Sequence, residues 1–312
     1  MKKIIFFLTA LLTLSACAGS GTTGNADEYG RGSISIGVML ALDSFPILLA
    51  EELGFFEEED IDVDIQIFAN ATERDIAFQT SDDMDGLMLD FVSFANFREA
   101  GVEIMAVSNI NGLSAIVGGV DYYTMEDLQG QNVLIAFNSA MHYILHTALV
   151  QAGISPGDVT MEAVPSLPTR MEMLINRQAA GAALPEPFIS LSLNQGLNII
   201  ATTRDLDINP FALGFRREVT EQKTSDLRAF YSAINRAVDH INTSPREDII
   251  DYLIDLAGFP EPLRASMEIP EMAKFITPNH RHVDSVFDFA RYHGLLTIPL
   301  TSQDVIFDLL ES

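Results

Sequence analysis

The residues best suited to holding a small polar molecule stand where predicted strands pass into predicted helices. Asp43, Ser44 and Phe45 follow one such strand, and Asp90 and Phe91 follow another. Carboxylates accept hydrogen bonds, hydroxyls donate and accept them, and aromatic rings stack on flat groups. The same residue types serve other purposes. Asp43, Ser44 and Asp90 are therefore also candidate helix caps, and Phe91 is also a candidate core residue.

A second group of candidates opens the predicted long helix that begins at Ser139. Free backbone N–H groups at Asn138, Ser139 and Ala140 would suit an anionic or carbonyl oxygen, with plain capping as the alternative. His142, in the first turn, is a candidate hydrogen-bond donor, which the positive helix end would keep neutral. His142 and His146 have zinc-ligand spacing, but the metalloprotease glutamate and a nearby third ligand are missing, so no metal site is predicted.

The third candidate is Glu186, which stands between two prolines and is followed by Phe188. Proline fixes the backbone on either side of the carboxylate, and this suits an acceptor aimed at a ligand N–H group. A rigid turn with Glu186 in solvent is the alternative. The histidines at 280 and 282 predict only a solvated loop.

Recognisable catalytic motifs are missing from the sequence. It contains no Gly-x-Ser-x-Gly elbow, no phosphate-binding loop and no Cys/His zinc set. We therefore predict a non-enzymatic protein with no catalytic residue and no cofactor.

The elements that must position these candidates alternate between strand and helix. Ile34, Ile36 and Val38 alternate with polar or small residues, as in a half-buried strand, and the pattern of strands and helices continues to about residue 201. After Glu218 the chain is predicted to be mostly helical. Such alternation predicts an α/β protein with parallel sheets, and open parallel sheets bind ligands beyond the carboxyl ends of their strands. The candidates above stand at these ends.

The N-terminus has the layout of a lipoprotein signal. Lys2 and Lys3 precede an apolar run, and Leu14-Ser-Ala-Cys17 ends it with the only cysteine of the chain. This resembles the bacterial lipobox, in which cleavage precedes a cysteine that is then lipidated. We predict a signal peptide over 1–16, lipidation of Cys17 and a Gly/Ser/Thr-rich flexible tether over 17–32. No later segment reaches the roughly 18 apolar residues of a membrane span.

The charge balance restricts the partners. The chain has 18 Lys and Arg against 44 Asp and Glu, a net charge of −26. Nucleic acid is excluded as a partner because no basic stripe offsets this field. An acidic surface also repels anionic lipids, so the lipid anchor is the only expected membrane contact. We expect a monomer held at the outer side of the cell membrane.

Several short motifs, in order, resemble one family of transport proteins. They are Ile36-Gly-Val38, Asp43-Ser-Phe-Pro46, Leu49-Ala-Glu-Glu-Leu-Gly-Phe-Phe56, Asp127-Leu-Gln-Gly130, Pro165-Ser166 with Arg170-Met-Glu-Met-Leu174, and Ala182-Ala-Leu-Pro-Glu-Pro187. Together they look like the nitrate/sulfonate/thiamine-precursor group of solute-binding proteins of ABC transporters.

This resemblance implies a type II periplasmic-binding fold, in which two α/β lobes joined by a two-strand hinge close on a ligand. Lobe one would comprise 33–112 and 208–312, and lobe two 113–207. The implied partners are a small-molecule ligand, an ABC permease and its ATPase. Two enzyme groups share the broad fold, a dehydratase of menaquinone synthesis and a thiamine-pyrimidine synthase, and they are the alternative reading.

The residues give a weaker indication of the ligand. A site lined by Phe45, Phe91 and Phe188, among Ser, Asn, His and Glu, would suit a flat heteroaromatic such as a thiamine pyrimidine or another vitamin precursor. A sulfonate or nitrate ion is the alternative, and it would want a cationic side chain in the cleft. Lobe two offers only Arg170, Arg177 and Arg204.

Overall fold

The computed structural model describes residues 32–110 and 112–309. The strands in this part of the chain are β1 (Gly32–Met39), β2 (Ile61–Phe68), β3 (Gly86–Asp90), β4 (Ile104–Asn109), β5 (Ser114–Gly118), β6 (Asn132–Ile135), β7 (Thr160–Ala163), β8 (Gly181–Pro185), β9 (Asn198–Thr202) and β10 (Phe211–Arg216). The predicted signal peptide, Cys17 and nearly all of the tether lie outside the described residues.

Helices follow most of the strands, as the alternating pattern predicts. In chain order they are α1 (Phe45–Glu52), α2 (Phe55–Glu58), α3 (Ala71–Thr80), α4 (Phe91–Glu99), α5 (Ala140–Gln151), α6 (Leu167–Ile175), α7 (Phe188–Asn194), α8 (Arg217–Gln222), α9 (Thr224–Thr243), α10 (Arg246–Ala257) and α11 (His280–Tyr292). None of these helices is long and apolar enough to cross a membrane.

The strands form two five-stranded sheets with the same internal pattern. Their orders are β2-β1-β3-β10-β4 and β7-β6-β8-β5-β9. In each sheet the first three strands are parallel, and the fourth runs antiparallel to its neighbours on both sides. This confirms the predicted α/β class with two mixed-sheet lobes. We call the lobe that contains β1 lobe one and the lobe that contains β6 lobe two.

The chain passes between the sheets twice, at 110–113 and at 203–210. The two connections are hydrogen-bonded at their ends, with Thr203 N donating to Ser114 O at 2.9 Å and Ile110 N to Phe211 O at 3.3 Å. The lobe boundaries predicted from the sequence lie within these connections. The position at which the hinge bends stays a prediction.

Helix α11 belongs to lobe one but also reaches lobe two. Phe287 packs against Phe91 and Phe94 of lobe one, with ring centroids 6.4 Å apart in both cases. The neighbouring residue Phe289 contacts Tyr143 of α5 at 5.5 Å. A single apolar cluster therefore includes residues of both lobes.

The prediction of a solvated loop at residues 280–282 is wrong. The loop ends at Asn279, whose side chain accepts a hydrogen bond from Arg281 N at 2.9 Å and so caps α11. His280 and His282 form the first turn of that helix. The apolar periodicity was visible only further along, where Val283, Val286 and Phe287 are buried.

Candidate ligand-binding site

The two lobes present equivalent edges to each other. Asp43 follows β1 and Asp90 ends β3 in lobe one, while Ser139 follows β6 and Glu186 follows β8 in lobe two. The two connections between the lobes are bonded to these edges. Phe91 N donates to Pro210 O at 2.8 Å, and Glu186 N donates to Leu113 O at 3.3 Å. Motion at either connection is thereby linked mechanically to the candidate site.

Asp90 makes contacts on both sides of the cleft. Its Oδ1 accepts hydrogen bonds from Val92 N and Ser93 N, both at 2.9 Å, and so caps α4. The backbone N–H of Ala140, at the first turn of α5 in lobe two, also lies near this carboxylate. Burial raises the pKa of Asp90, although the backbone N–H groups of Ser93 and Ala140 oppose the rise. Asp90 is thus a helix cap and, in addition, a carboxylate at the facing helix terminus.

Asp43 is the second carboxylate of this region. Burial raises its pKa to about 6, against the opposing effects of backbone N–H groups at Asp43 and Ser44 and of the nearby Arg74 charge. Ser44 itself is buried, and its hydroxyl is engaged locally, donating to Ala41 O at 3.0 Å and accepting from Ala41 N at 3.2 Å. The Ser44 side chain therefore stabilises the loop, whereas the Asp43 carboxylate remains available to a ligand.

Arg74, on α3, is a site residue that the sequence analysis missed. It is 2% exposed, and its Nε and Nη2 donate to Asp75 Oδ1 at 2.9 and 2.7 Å. The Arg74 charge acts on both Asp43 and Asp90, and the Asp75 charge acts on Asp90 as well. Three carboxylates thus surround one guanidinium, and the region carries an excess of acceptors.

The predicted aromatic lining is wrong for two of its three rings. Phe45 and Phe91 are both 0% exposed and pack in the cores of their lobe. Their ring faces are covered by other side chains, so neither can stack on a ligand in this conformation. Phe188, at the start of α7, is half-buried.

The N-terminus of α5 is formed by Asn138, Ser139 and Ala140. Asn138 is exposed and has a φ of 56°, a left-handed conformation that asparagine tolerates better than most residues. Ser139 is the N-cap residue, but its hydroxyl donates to Ala136 O at 2.8 Å and accepts nothing from the helix. The first N–H groups of α5 are therefore not capped by their own serine, and that of Ala140 lies near Asp90.

His142 lies one turn into α5 and is 3% exposed. It faces α11, where it contacts Phe289 and His293 at 5.0 and 4.5 Å between ring centroids. The structure therefore does not bring His142 to the Asp90 carboxylate. His146 is nearby, so three histidines cluster here, yet no group of three potential ligands in the described residues has a geometry that could hold a metal ion.

Glu186 is buried in lobe two. Its Oε2 accepts from Ser190 N at 3.1 Å and its Oε1 from Ser190 Oγ at 3.0 Å. Burial raises the pKa of this carboxyl, and the two Ser190 bonds oppose the rise. The alternative of a solvent-exposed glutamate on a rigid turn is therefore wrong, because the side chain folds back onto the first turn of α7.

Two further polar side chains beside the first connection were not predicted. Asn109 ends β4 and Ser114 begins β5, and they are 8% and 1% exposed. Asn109 Oδ1 and Ser114 Oγ are buried without any protein hydrogen-bond partner. Buried polar atoms normally have partners, so these two atoms are candidates for ligand or water contact.

One stability prediction follows from Asp43. Because the folded state holds the Asp43 proton more tightly than the unfolded chain, the free energy of unfolding should fall between about pH 4 and pH 6 and stay low above that range. We expect Asp43→Asn to raise the free energy of unfolding by about 1–2 kcal/mol near neutral pH, because the substitution removes the cost of burying a charge. Urea denaturation at several pH values measures this, with the exposed Asp255→Asn as a control that should change little. A destabilised Asp43→Asn protein would contradict the assignment.

Comparison with known proteins identifies the family. The model described as the NMT1-like family matches residues 28–254. A model of the prokaryotic membrane lipoprotein lipid attachment site matches residues 1–18, which include Cys17. No curated protein matches this chain.

Solved structures share the fold at low sequence identity. The periplasmic aliphatic sulphonate binding protein SsuA from Escherichia coli is 18% identical with a TM-score of 0.76, over 88% of this chain and 97% of that chain. The periplasmic nitrate-binding protein NrtA from Synechocystis PCC 6803 is 16% identical with a TM-score of 0.67, over 88% and 84%. The desulfurization enzyme DSZB is 11% identical with a TM-score of 0.63, over 90% and 98%.

These findings confirm the resemblance, the fold and the lipoprotein signal that the sequence indicates. The fold is shared by binding proteins and by an enzyme, so it does not by itself define a ligand. The chain belongs to the NMT1-like family and is a lipid-anchored, extracytoplasmic protein.

Proposed function

We propose that this protein is the capture subunit of an ABC importer and that its ligand is a flat heteroaromatic amine, such as the aminopyrimidine precursor of thiamine. The observation that carries the ligand class is the position of Asp90. Its carboxylate lies near the N–H group of Ala140 at the α5 N-terminus, where an anionic ligand would otherwise bind.

The charge around Asp90 favours a ligand that donates hydrogen bonds. Asp43, Asp75 and Asp90 outnumber the single cation Arg74, which is itself engaged by Asp75. A sulfonate or nitrate would have to displace Asp90 and then sit among like charges. A ligand that donates hydrogen bonds to these carboxylates offsets the cost of burying their charge, whereas an anionic ligand adds to that cost.

An aminopyrimidine has the right complement for this site. Its amino group donates N–H hydrogen bonds, which are short and charge-assisted when a carboxylate accepts them. Asp90 Oδ2 has lone pairs left for this purpose, because Val92 and Ser93 both use the other oxygen, Oδ1. The buried acceptor Asn109 Oδ1 supplies a further polar contact.

Closure of the lobes would complete the site. Asp90 comes from lobe one and Ala140 from lobe two, so the two groups lie near each other only when the two edges meet. A ligand drives closure only if it binds the closed form more tightly than the open form. The permease and ATPase of the importer are the partners we propose, with the monomeric protein held beside them by its lipid, since tethering raises the effective concentration.

A small oxyanion is the second candidate ligand. It is favoured by Arg74, a buried cation that the sequence analysis had not placed in this region. The solved structures that bind sulphonate and nitrate share the fold and add to this alternative. The two ligand classes differ in the sign of charge that they need, and this makes them separable by experiment.

A thermal-shift experiment on the mature lipoprotein in detergent distinguishes them. We expect the aminopyrimidine precursor of thiamine, at about 100 times its Kd, to raise Tm by roughly 5–8 °C. Ethanesulfonate and nitrate should leave Tm unchanged. A shift with either anion and none with the amine would overturn the proposed ligand class, and the Glu186→Ala variant reports whether lobe two contributes to the same site.

A further inference from the structure

A cluster of three histidines joins the two lobes. His142 and His146 lie on α5 of lobe two, and His293 follows α11 of lobe one. The His293 ring centroid is 4.5 Å from that of His142 and 5.4 Å from that of His146. Phe289 of α11 contacts all three rings, at 5.0, 5.2 and 4.4 Å. The contact between the lobes at this point is therefore made of tilted and edge-on rings.

The cluster contains polar atoms that no protein group satisfies. His142 Nδ1, His146 Nδ1 and His293 Nε2 are buried and have no hydrogen-bond partner. Buried ring nitrogens of this kind are tolerable only while the rings are neutral, because an imidazolium would be both desolvated and unpaired.

The surroundings provide no compensating negative charge. The titratable neighbours are Tyr143 on α5, whose hydroxyl is 3.0 Å from Ser285 Oγ, and Tyr292 on α11, which contacts His146 and His293. Arg281 is paired with Asp207. The Arg281 charge acts on Tyr143 and on His282, and the Asp207 charge acts on His282. Among the described residues, the only charges that act on the three rings are those of the other histidines.

We propose that His142, His146 and His293 form a pH-sensitive latch that holds the lobes together while the rings are neutral and releases them on acidification. The latch acts on the equilibrium between the closed and open forms and requires no particular ligand. Capture at neutral pH and release in an acidified environment would follow from it.

The physical basis is the difference in protonation between the two forms. Burial lowers the pKa of all three histidines, and repulsion within the cluster lowers the pKa values of His142 and His146 further, that of His142 to about 4. Once the lobes part, water reaches the rings and the ordinary value of 6.5 returns. The open form therefore binds protons more readily, so the latch is fully effective above about pH 6.5 and weakens as the pH falls from there toward 4.

The expected size of the effect can be estimated from His142 alone. With a pKa of about 4 closed and 6.5 open, the ratio of open to closed protein should be about tenfold higher near pH 5.5 than near pH 7.5. His146 and His293 would add to this factor.

Distance measurements on the ligand-free protein test the latch. Ile76 on α3 of lobe one and Ile175 on α6 of lobe two are exposed, and cysteines introduced there can carry spin labels, since lipid occupies the thiol of the single native cysteine. We expect one short distance near neutral pH and a second, longer one to appear as the pH falls toward about 5.5. An unchanged distance distribution would overturn the proposal.

A matched pair of variants separates protonation from general acid effects. The triple variant His142→Phe, His146→Phe and His293→Phe keeps rings in the contact but cannot titrate, so its distances should not depend on pH. His240→Phe, on α9 and outside the cluster, should behave as the parent protein. A triple variant that still opens on acidification would overturn the latch.

An NMR titration of the unmodified protein tests the latch without depending on the folding of any variant. The imidazole resonances of His142, His146 and His293 should titrate below the ordinary histidine range, with that of His142 the lowest. Outside the cluster, burial and the Arg281 charge lower the pKa of His282 as well. Titration of all six histidines near pH 6.5 would overturn the proposal. Loss of the pH effect when a metal chelator is added would also overturn it, because the cluster would then be a metal site. Because no ligand is present in these measurements, they stand or fall independently of the aminopyrimidine screen.

Discussion

Replacing Asp90 with asparagine is expected to weaken binding of an aminopyrimidine ligand by roughly 30- to 1,000-fold, or about 2–4 kcal/mol. The carboxylate is the acceptor for the ligand's amino group, and asparagine offers one oxygen and no charge in its place. Isothermal titration calorimetry on the mature lipoprotein measures the change directly.

The substitution is suited to this purpose because it leaves the fold in place. Asparagine is as good a helix cap as aspartate, and its Oδ1 can still accept from Val92 N and Ser93 N. Burial already raises the pKa of Asp90, so removing the charge is not expected to lower the free energy of unfolding. A loss of affinity without a fall in Tm therefore reports on the ligand contact.

The control for Asp90 is an exposed aspartate of the same lobe. Asp255, on α10, is solvent-exposed, and Asp255→Asn removes the same charge from the protein without touching the cleft. Equal losses in the two variants would show that the net charge of −26 acts at long range. Unchanged affinity in Asp90→Asn would exclude Asp90 as the ligand's acceptor.

The parts of the site that the sequence predicted are those fixed by topology. Asp43, Asp90, Ser139 and Glu186 each come directly after a parallel strand, and the carboxyl ends of such strands meet at one edge of a sheet. Strand periodicity and family motifs locate these ends without any knowledge of packing. The structure places the backbone of Ala140 near Asp90, and a role for either residue in ligand binding stays a prediction.

The parts that the sequence did not predict depend on which way a side chain faces. Phe45 and Phe91 stand beside the two acidic residues in sequence, yet their rings turn into the cores, and no local pattern distinguishes a stacking ring from a core ring. Arg74 lies inside α3 and carries no capping or turn signal. The partner of His142 is also far away along the chain, because His293 reaches it only through the packing of α11.

Arg170 illustrates how a cationic side chain can serve the fold and not the ligand. The sequence analysis considered it as a candidate cation near the cleft. The structure shows that its guanidinium donates to three backbone carbonyls, Val164 O at 2.6 Å, Ala183 O at 2.7 Å and Pro165 O at 3.2 Å. Burial lowers its pKa to about 10, so it remains charged at neutral pH. It ties the end of β7 to β8, the strand that leads to Glu186.

We expect Arg170→Met to lower the free energy of unfolding by about 3–5 kcal/mol, measured by urea denaturation. Methionine fills part of the same volume but leaves three carbonyl groups without their donor, and unpaired buried polar groups are costly. Arg170→Lys should recover only part of the loss, because one ammonium cannot reproduce the planar fork. Arg177→Gln is the matched control, and it should lower the free energy of unfolding by less than about 1 kcal/mol. Arg177 and Asp121 are both exposed, and their ion pair is 3.5 Å long. If Arg170→Met were as stable as the control, water would have to satisfy these carbonyls, and the link between β7 and β8 would not depend on the guanidinium.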